Sequence, residues 1–283
     1  MEHVLACVDA SSYANSVCDL AAWAASQLQL PVELLHVVQR KDPVAARHDL
    51  SGAIGLGVKS DLMEELVRLE ESDARLQVER GRVLLKSCED RLRGAGVEKV
   101  TTLHRHGGIV ETIVEREEDA RIVVIGKRGA SHEFAADHIG SKIERVVRTS
   151  NKPILIASKE AHVPERIVLA YDGSAGAKRA LERLANSPLF TGLPVHIVMA
   201  ESEDDRHRKE LAAAAETLQG GRTVETTLRR GKAEEVISAV VADRPGTMLM
   251  MGAYGHSPLR ALIIGSTTTS LIRSVHVPVL LVR

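Results

Sequence analysis

The chain has 283 residues, 44% apolar and only 2% aromatic, with a formal net charge of −1 and a pI of about 6.9. This length and apolar content predict one large core or two ordinary ones. The balanced charge argues against a nucleic-acid or anionic-membrane surface, and the scarcity of aromatic side chains argues against base stacking.

The spacing of the cysteines and the shortness of the apolar runs bear on where the protein is located in the cell. Cys7, Cys18 and Cys88 form no closely spaced pair, which favours free thiols in a reducing environment over a disulfide framework. No basic-then-apolar leader precedes the first strand pattern. No apolar run approaches the ~20 residues that a membrane span needs. We therefore predict a soluble, cytoplasmic protein.

The first segment in chain order predicts a strand, a helix and a second strand. Val4 to Val8 form the first predicted strand, and Asp9 lies at its carboxyl end. Ser11 or Ser12 is predicted to cap the helix that follows. The second strand is predicted over residues 32–38.

Residues from about 40 to 93 are predicted to be an insertion. A glycine-rich stretch is followed by a long, charged, amphipathic helical pattern. Gly81 is a weak point in that pattern, and Gly94 or Gly96 ends it. We predict a flap and a helix that either cover a binding crevice or contact another chain. A third strand is predicted over residues 100–104, followed by a short helix over residues 110–116.

Two similar stretches each combine a strand, a glycine loop and a helix start. In the first, the strand Ile122 to Ile125 leads through glycines to a helix that starts at Gly140 and Ser141. In the second, Thr247 to Met251 lead to a helix that starts at Ser266. Glycines let the backbone approach a ligand, and a helix start offers N–H groups, hydroxyls and a positive dipole end. Each stretch therefore predicts a phosphate cradle.

The whole pattern occurs twice along the chain. The segment around Asp172 repeats the segment around Asp9. We therefore predict two tandem domains, residues 1–158 and 159–283, with the insertion in the first. Strands that alternate with helices predict a doubly wound, five-stranded parallel sheet in each. Ligands bind such sheets where the strand order reverses, so the aspartate and the glycine loop of each half should face one crevice.

These residues resemble the universal stress protein family in its tandem two-domain form. The family signature G-x2-G-x9-G-[ST] is matched by Gly252, Gly255, Gly265 and Ser266, and the first half matches it with one extra loop residue. The resemblance covers nearly the whole chain twice. It implies an adenine-nucleotide-binding α/β fold with strand order 3-2-1-4-5. We expect ATP, alone or with Mg²⁺, as the ligand, and a homodimer with protein partners that the sequence does not identify.

The resemblance also assigns site residues by position. Asp172 would contact the nucleoside, and the backbone of Ala200 would meet the adenine edge. The base and ribose would lie beside Met251 and Gly252. The phosphates would be held by Gly255, His256, Gly265, Ser266 and Thr267. The matching positions of a possible second site in the first half are Asp9, Val37, Ile125, Gly126, Gly129, Gly140 and Ser141.

The two glycine loops differ in charge. The loop of the first half contains Glu133 and Asp137, whereas the segment between Gly252 and Gly265 contains no acidic residue. Carboxylates near a triphosphate cost binding energy. We therefore predict that nucleotide binds mainly in the second half.

No nucleophile–base pair stands out in the sequence, so we expect a nucleotide-responsive stress-response binding protein and not an enzyme. A slow ATPase and a nucleotide-free dimerising scaffold are the alternatives. A phosphoacceptor role for Asp9 lacks the acidic cluster that would bind magnesium, and a ligase or pyrophosphatase lacks a Ser-Gly-Gly loop. His104 and His106 share one face of a strand, but a metal site needs a further ligand.

The ends of the two halves should meet. Residues 154–157 and 279–282 are short, apolar strands at the edges of their predicted sheets. Because unpaired sheet edges are a liability, we predict a contact between these two strands within the chain.

Overall fold

The structure of the chain is a computed structural model that describes residues 1–38, 56–129, 141–218, 220–253 and 266–283. Side chains at 56–64, 66 and 141 lie outside the description. Four residues of the predicted sites also lie outside the described residues: Gly140, Gly255, His256 and Gly265. The glycine-rich part of the predicted insertion, as far as residue 55, does so as well.

Strands and helices alternate through both halves. The first half contains β1 (His3–Cys7), α1 (Ala14–Leu28), β2 (Val32–Val38), α2 (Leu56–Gly94), β3 (Val100–His106), α3 (Ile109–Arg116), β4 (Ala120–Gly126), α4 (Ser141–Thr149) and β5 (Ile154–Ala157). The second half contains β6 (Arg166–Ala170), α5 (Ala175–Asn186), a short 3-10 helix (Pro188–Phe190), β7 (Val195–Met199), α6 (Asp205–Leu218), β8 (Val224–Leu228), α7 (Ala233–Ala242), β9 (Thr247–Gly252), α8 (Ser266–Ser274) and β10 (Val279–Val282).

The ten strands of the described residues form one sheet, in the order β3-β2-β1-β4-β5-β10-β9-β6-β7-β8. Each half has the predicted order 3-2-1-4-5, and its strands are parallel. The halves meet where β5 pairs with β10 in the antiparallel sense, with Leu155 opposite Leu280. The predicted contact between the last strands is therefore confirmed.

Helices cover both faces of the sheet. One apolar cluster packs α1, α2, α5 and α6 against the sheet, and a second packs α3, α4, α7 and α8 against the other face. The first cluster spans both halves, because Phe190 of the second half is buried in the same cluster as the residues of α1. The link between the halves is held as well: the hydroxyl of Ser16 donates to the carbonyl of Lys159 at 2.7 Å and accepts from the amide of Ala161 at 3.2 Å.

Helix α2 is the main difference between the halves, since it has 39 residues where α6 has 14. It runs without a break through Gly81 and ends at Gly94, which is one of the two predicted ends; the other was Gly96. Gly96, with φ +89°, reverses the chain, and the amide of Val97 bonds to the carbonyl of Leu92 at 3.0 Å. A left-handed glycine followed by a buried apolar residue is a common way to end a helix.

Candidate functional site

The second crevice lies at the carboxyl ends of β6 and β9, which are parallel neighbours. Asp172 follows β6 and is exposed to solvent. Its Oδ1 accepts a hydrogen bond from the amide of Ser174 at 3.0 Å. The hydroxyl of Ser174 in turn accepts from the amide of Ala177 at 3.2 Å and caps α5. The aspartate is thus held in a defined turn at the mouth of the crevice.

Gly252, at the end of β9, packs directly on the first turn of α5. A Cβ atom at Gly252 would lie 2.5 Å from the carbonyl carbon of Gly176 and 2.9 Å from the amide nitrogen of Ala177. Both obstacles are backbone atoms, which cannot turn aside as a flexible side chain can. The strand end and the helix start can approach this closely because residue 252 is glycine.

Glu210 lies beside this turn, and the sequence analysis did not identify it. Gly173 has φ +71°, and its backbone lies so close to the carboxylate of Glu210 that a Cβ would collide with it. Glu210 also lies 3.9 Å from the ammonium nitrogen of Lys178. No spacing in the sequence signals this contact, because it depends on how α6 packs against α5.

The start of α8 offers polar groups to solvent. Ser266 and Thr267 are exposed in its first turn, while Thr268 turns into the core. The backbone N–H groups of a first helical turn have no partner within the helix, and the helix dipole is positive there. Hydroxyls, N–H groups and a positive dipole together suit a phosphate group.

Two predicted site residues of the second half are more enclosed. The side chain of Met251 is buried in the apolar cluster under α7 and α8. Its backbone is therefore the part that a ligand at the end of β9 could contact. Ala200 follows β7 and is half-buried against the same cluster. Both positions offer mainly backbone to the crevice, as the resemblance implies for Ala200.

The first crevice has the same aspartate turn as the second, but a different residue packs on the glycine at the end of its fourth strand. Oδ1 of Asp9 accepts from the amide of Ser11 at 3.1 Å, as the aspartate of the second half does at its own turn. Tyr13 occupies the position of Gly176 and packs on Gly126: a Cβ at Gly126 would lie 2.7 Å from the Cβ of Tyr13. A Cβ at Gly129 would lie 2.8 Å from Oδ2 of Asp9. When residues 9–13 (DASSY) are aligned with residues 172–176 (DGSAG), Tyr13 stands opposite Gly176. This difference is visible in the sequence but did not enter the prediction of the sites.

The predicted cap of α1 is wrong. Helix α1 begins at Ala14, and no side-chain cap is present at Tyr13. Ser11 instead accepts a hydrogen bond from the amide of Tyr13 at 3.3 Å, before the helix begins. The bulky Tyr13 takes the position at which the second half continues with small residues. Of the other first-half positions, Val37 and Ile125 are buried, and Ser141 begins α4.

Lys127 follows β4 and reaches into the other half. Its Nζ donates to the carbonyl oxygens of Arg273 at 2.9 Å and Val275 at 2.8 Å, at the end of α8. The side chain is 7% exposed, and burial, with a smaller contribution from Arg128, lowers its pKa to about 8. Its charge is therefore directed to the carboxyl end of α8 in the other half.

Three histidines cluster under α2. His36 and His104 are paired in register on β2 and β3, with ring centroids 5.2 Å apart, and the His106 ring is 5.6 Å from that of His104. Nδ1 of His36 donates to the carbonyl of Val8 at 2.8 Å. Burial lowers the pKa of His104, and His36, His106 and Arg82 lower it further. His36 is the neighbour that the sequence analysis did not locate. Nevertheless, the described residues contain no group of three side chains arranged to hold a metal ion.

The cysteines are free and buried, as the sequence predicted. Cys18 in α1 lies against Cys88 in α2, and the interaction with the Cys88 side chain, together with burial, raises the pKa of Cys18. Burial raises the pKa of Cys7. Among the described residues, no helix is long and apolar enough to cross a membrane.

Known proteins share this architecture along the entire chain. The model of the universal stress protein family matches residues 1–158 and 191–283. A universal stress protein of Synechocystis sp. is 35% identical, and the match covers 100% of both chains. One from Mycolicibacterium smegmatis is 21% identical over 99% of this chain and 96% of its own. The crystal structure of a universal stress protein from Archaeoglobus fulgidus has a TM-score of 0.72 at 23% identity, covering 99% of this chain and 98% of that one. The chain therefore belongs to the universal stress protein family.

Proposed function

We propose that the chain binds ATP, mainly in its second half, and acts as a nucleotide-responsive regulatory binding protein in the stress response. Its place of action is the cytoplasm, in keeping with three free thiols. Its working form is a homodimer whose contacts with further proteins depend on the bound nucleotide. Catalytic turnover is not part of this proposal.

The start of α8 is the observation that carries the proposal. Ser266 and Thr267 are exposed at the positive end of a helix that follows β9, and Asp172 is exposed at the end of the neighbouring strand β6. The hydroxyl and N–H donors of α8 suit phosphate oxygens, and the carboxylate of Asp172 can accept from a nucleoside hydroxyl or amino group. A magnesium ion would accompany the triphosphate and take most of its ligands from phosphate and water.

The contrast between the halves supports the assignment to the second one. Where the second crevice has Gly176, the first has the buried side chain of Tyr13. Lys127, a buried basic residue at the end of β4, donates its hydrogen bonds to carbonyls at the end of α8. The side chain of Tyr13 beside Gly126 and the direction of the Lys127 charge toward α8 both favour the second half as the nucleotide site.

Titration calorimetry with magnesium and ATP tests the proposal. We expect one tight site per chain. Ser266→Asp sets a carboxylate against the phosphates and should weaken binding about tenfold, which is about 1.4 kcal/mol. Gly265→Val should abolish binding, because its branched side chain occupies the phosphate approach. The matched changes in the first half, Ser141→Asp and Gly140→Val, should leave the tight site unchanged.

The same preparations separate the alternatives. Phosphate release that stops in Gly265→Val would favour the slow ATPase. A dimer without any heat of nucleotide binding would favour the scaffold and refute the proposal. Loss of the tight site in Gly140→Val alone would move the site to the first half, and two equal sites would disprove the asymmetry.

A further inference from the structure

The first part of α2 does not contribute to either core. Among its described side chains, every residue from Glu65 to Arg80 is exposed or half-buried, and the helix packs on the body only from Gly81 onward. Leu85, Cys88 and Leu92 then point into the core. Over residues 65–80, roughly 24 Å of helix, the described side chains thus lack core contacts. Most helical stability in proteins comes from packing of an apolar face, and this part of α2 packs on neither core.

An apolar stripe runs along the outer side of this helix. Leu69, Leu76 and Val83 are 58%, 46% and 63% exposed, and they follow one another at intervals of seven residues. At about 100° per residue, the stripe lies opposite Leu85, so the face that packs on the sheet cannot cover it. Apolar residues repeated every seven positions supply one of the two seam positions of a helix pair, and Asp73 and Arg80 take the other. Ion pairs such as Glu71–Arg75, at 4.0 Å, support the helix by only a few tenths of a kcal/mol.

The charges beside the stripe specify the partner. Asp73 precedes Leu76 by three residues and Arg80 follows it by four, so both lie on the same face as the stripe. In two antiparallel copies related by a twofold axis near Leu76, Asp73 of each copy would lie beside Arg80 of the other, and Leu69 would lie beside Val83. A parallel pair would instead oppose like charges. The face is therefore complementary to itself, as the contact of a symmetric dimer requires.

We propose that Leu69, Asp73, Leu76, Arg80 and Val83 form a docking face at which a second copy of this chain binds in the antiparallel sense. The inference rests on the homodimer of the proposed function and gives it a surface. It is independent of nucleotide, because the docking face is on the inserted helix and not at the crevice.

Charge reversal tests the proposal on the full-length chain. Sedimentation equilibrium should show a dimer for the wild type. Asp73→Arg and Arg80→Asp should each be monomeric, because each brings two like-charged pairs together. An equimolar mixture of the two variants should recover a dimer, because every pair is then of opposite charge. Glu71→Arg and Arg75→Asp are matched controls about 140° and 100° from Leu76 on the same helix, and they should remain dimeric.

Three results would overturn the proposal. The first is a wild type that is monomeric in sedimentation equilibrium. The second is a dimer that survives both single reversals. The third is a mixture that stays monomeric while circular dichroism shows both variants folded. Calorimetry with ATP on the same variants keeps the two proposals apart: loss of the dimer with intact nucleotide binding concerns this surface alone, and loss of binding with an intact dimer concerns the crevice alone.

Discussion

A single buried lysine joins a loop of one half to a helix of the other. Lys127 bonds to two carbonyl groups at the end of α8, the helix whose start is the proposed phosphate site. The contact has a counterpart, because the guanidinium of Arg283 donates to the carbonyl of Thr149 at the end of α4. Cations suit helix C-termini, where the carbonyls have no partner within the helix and the dipole is negative. Each half thus supplies a cation that closes the corresponding helix of the other.

We predict that Lys127→Met lowers the free energy of unfolding by about 1–3 kcal/mol at pH 7, because two buried carbonyls lose their donor. The effect should depend on pH. Folding lowers the pKa of Lys127 from 10.5 to about 8, so between these values the unfolded chain binds more protons than the folded one. Stability contributed by Lys127 should therefore rise as the pH rises from 8 to 10.5.

Urea unfolding of both proteins at several pH values measures this difference. Lys152→Met provides the control, since Lys152 donates to the carbonyl of Glu118 from an exposed position. A gap between wild type and Lys127→Met that narrows with rising pH would contradict the assigned direction.

At the scale of elements, Gly81 explains how α2 lies against the sheet. A Cβ at Gly81 would lie 2.5 Å from Cε1 of His104 and 2.8 Å from Cδ2 of His36. The helix therefore crosses the imidazoles where it has no side chain. The weak point that the sequence predicted is a place of close approach, and the helix continues through it.

We predict that Gly81→Ala destabilises the chain, although alanine is favoured over glycine in a helix by about 1 kcal/mol. Gly94→Ala, at the open end of the same helix, meets nothing within 4 Å and should be neutral or stabilising. His104→Ala should make Gly81→Ala tolerable by emptying the space. Thermal unfolding of the three single variants and the double variant tests this. Equal changes in melting temperature for Gly81→Ala and Gly94→Ala would contradict this prediction, because they would show that His36 and His104 move aside at little cost.

Local sequence signals predicted most of the elements. The strands β5 and β10 have the predicted bounds, because each is an apolar run that follows a proline. Strand β3 extends two residues further than predicted, to His106, because Arg105 and His106 pair with β2 despite their polarity. Contacts between distant segments did not emerge from the sequence. The contact of Lys127 with α8 depends on how the halves pack, and the contact of His36 with His104 depends on the register of β2 and β3. Local spacing in the sequence encodes neither.

At the scale of the whole molecule, the pairing of β5 with β10 should make the halves unfold together. We predict that Leu280→Ala lowers the free energy of unfolding by about 2–5 kcal/mol, since Leu280 and its partner Leu155 are fully buried. Amide exchange should accelerate in strands of both halves. Val224→Ala, in the outermost strand β8, should accelerate exchange locally. Hydrogen exchange read by mass spectrometry tests this, and acceleration in the second half alone would mean that the halves unfold independently.

The difference between Tyr13 and Gly176 at equivalent positions separates the tasks of the two halves. Under the proposed function the second half binds the nucleotide, and the first half holds the end of α8, the helix that starts at the phosphate site. Lys127, equivalent to Ala253, makes that contact. Inheritance of two similar halves therefore does not require two equal sites, and one half can serve as the fixed frame on which the other responds.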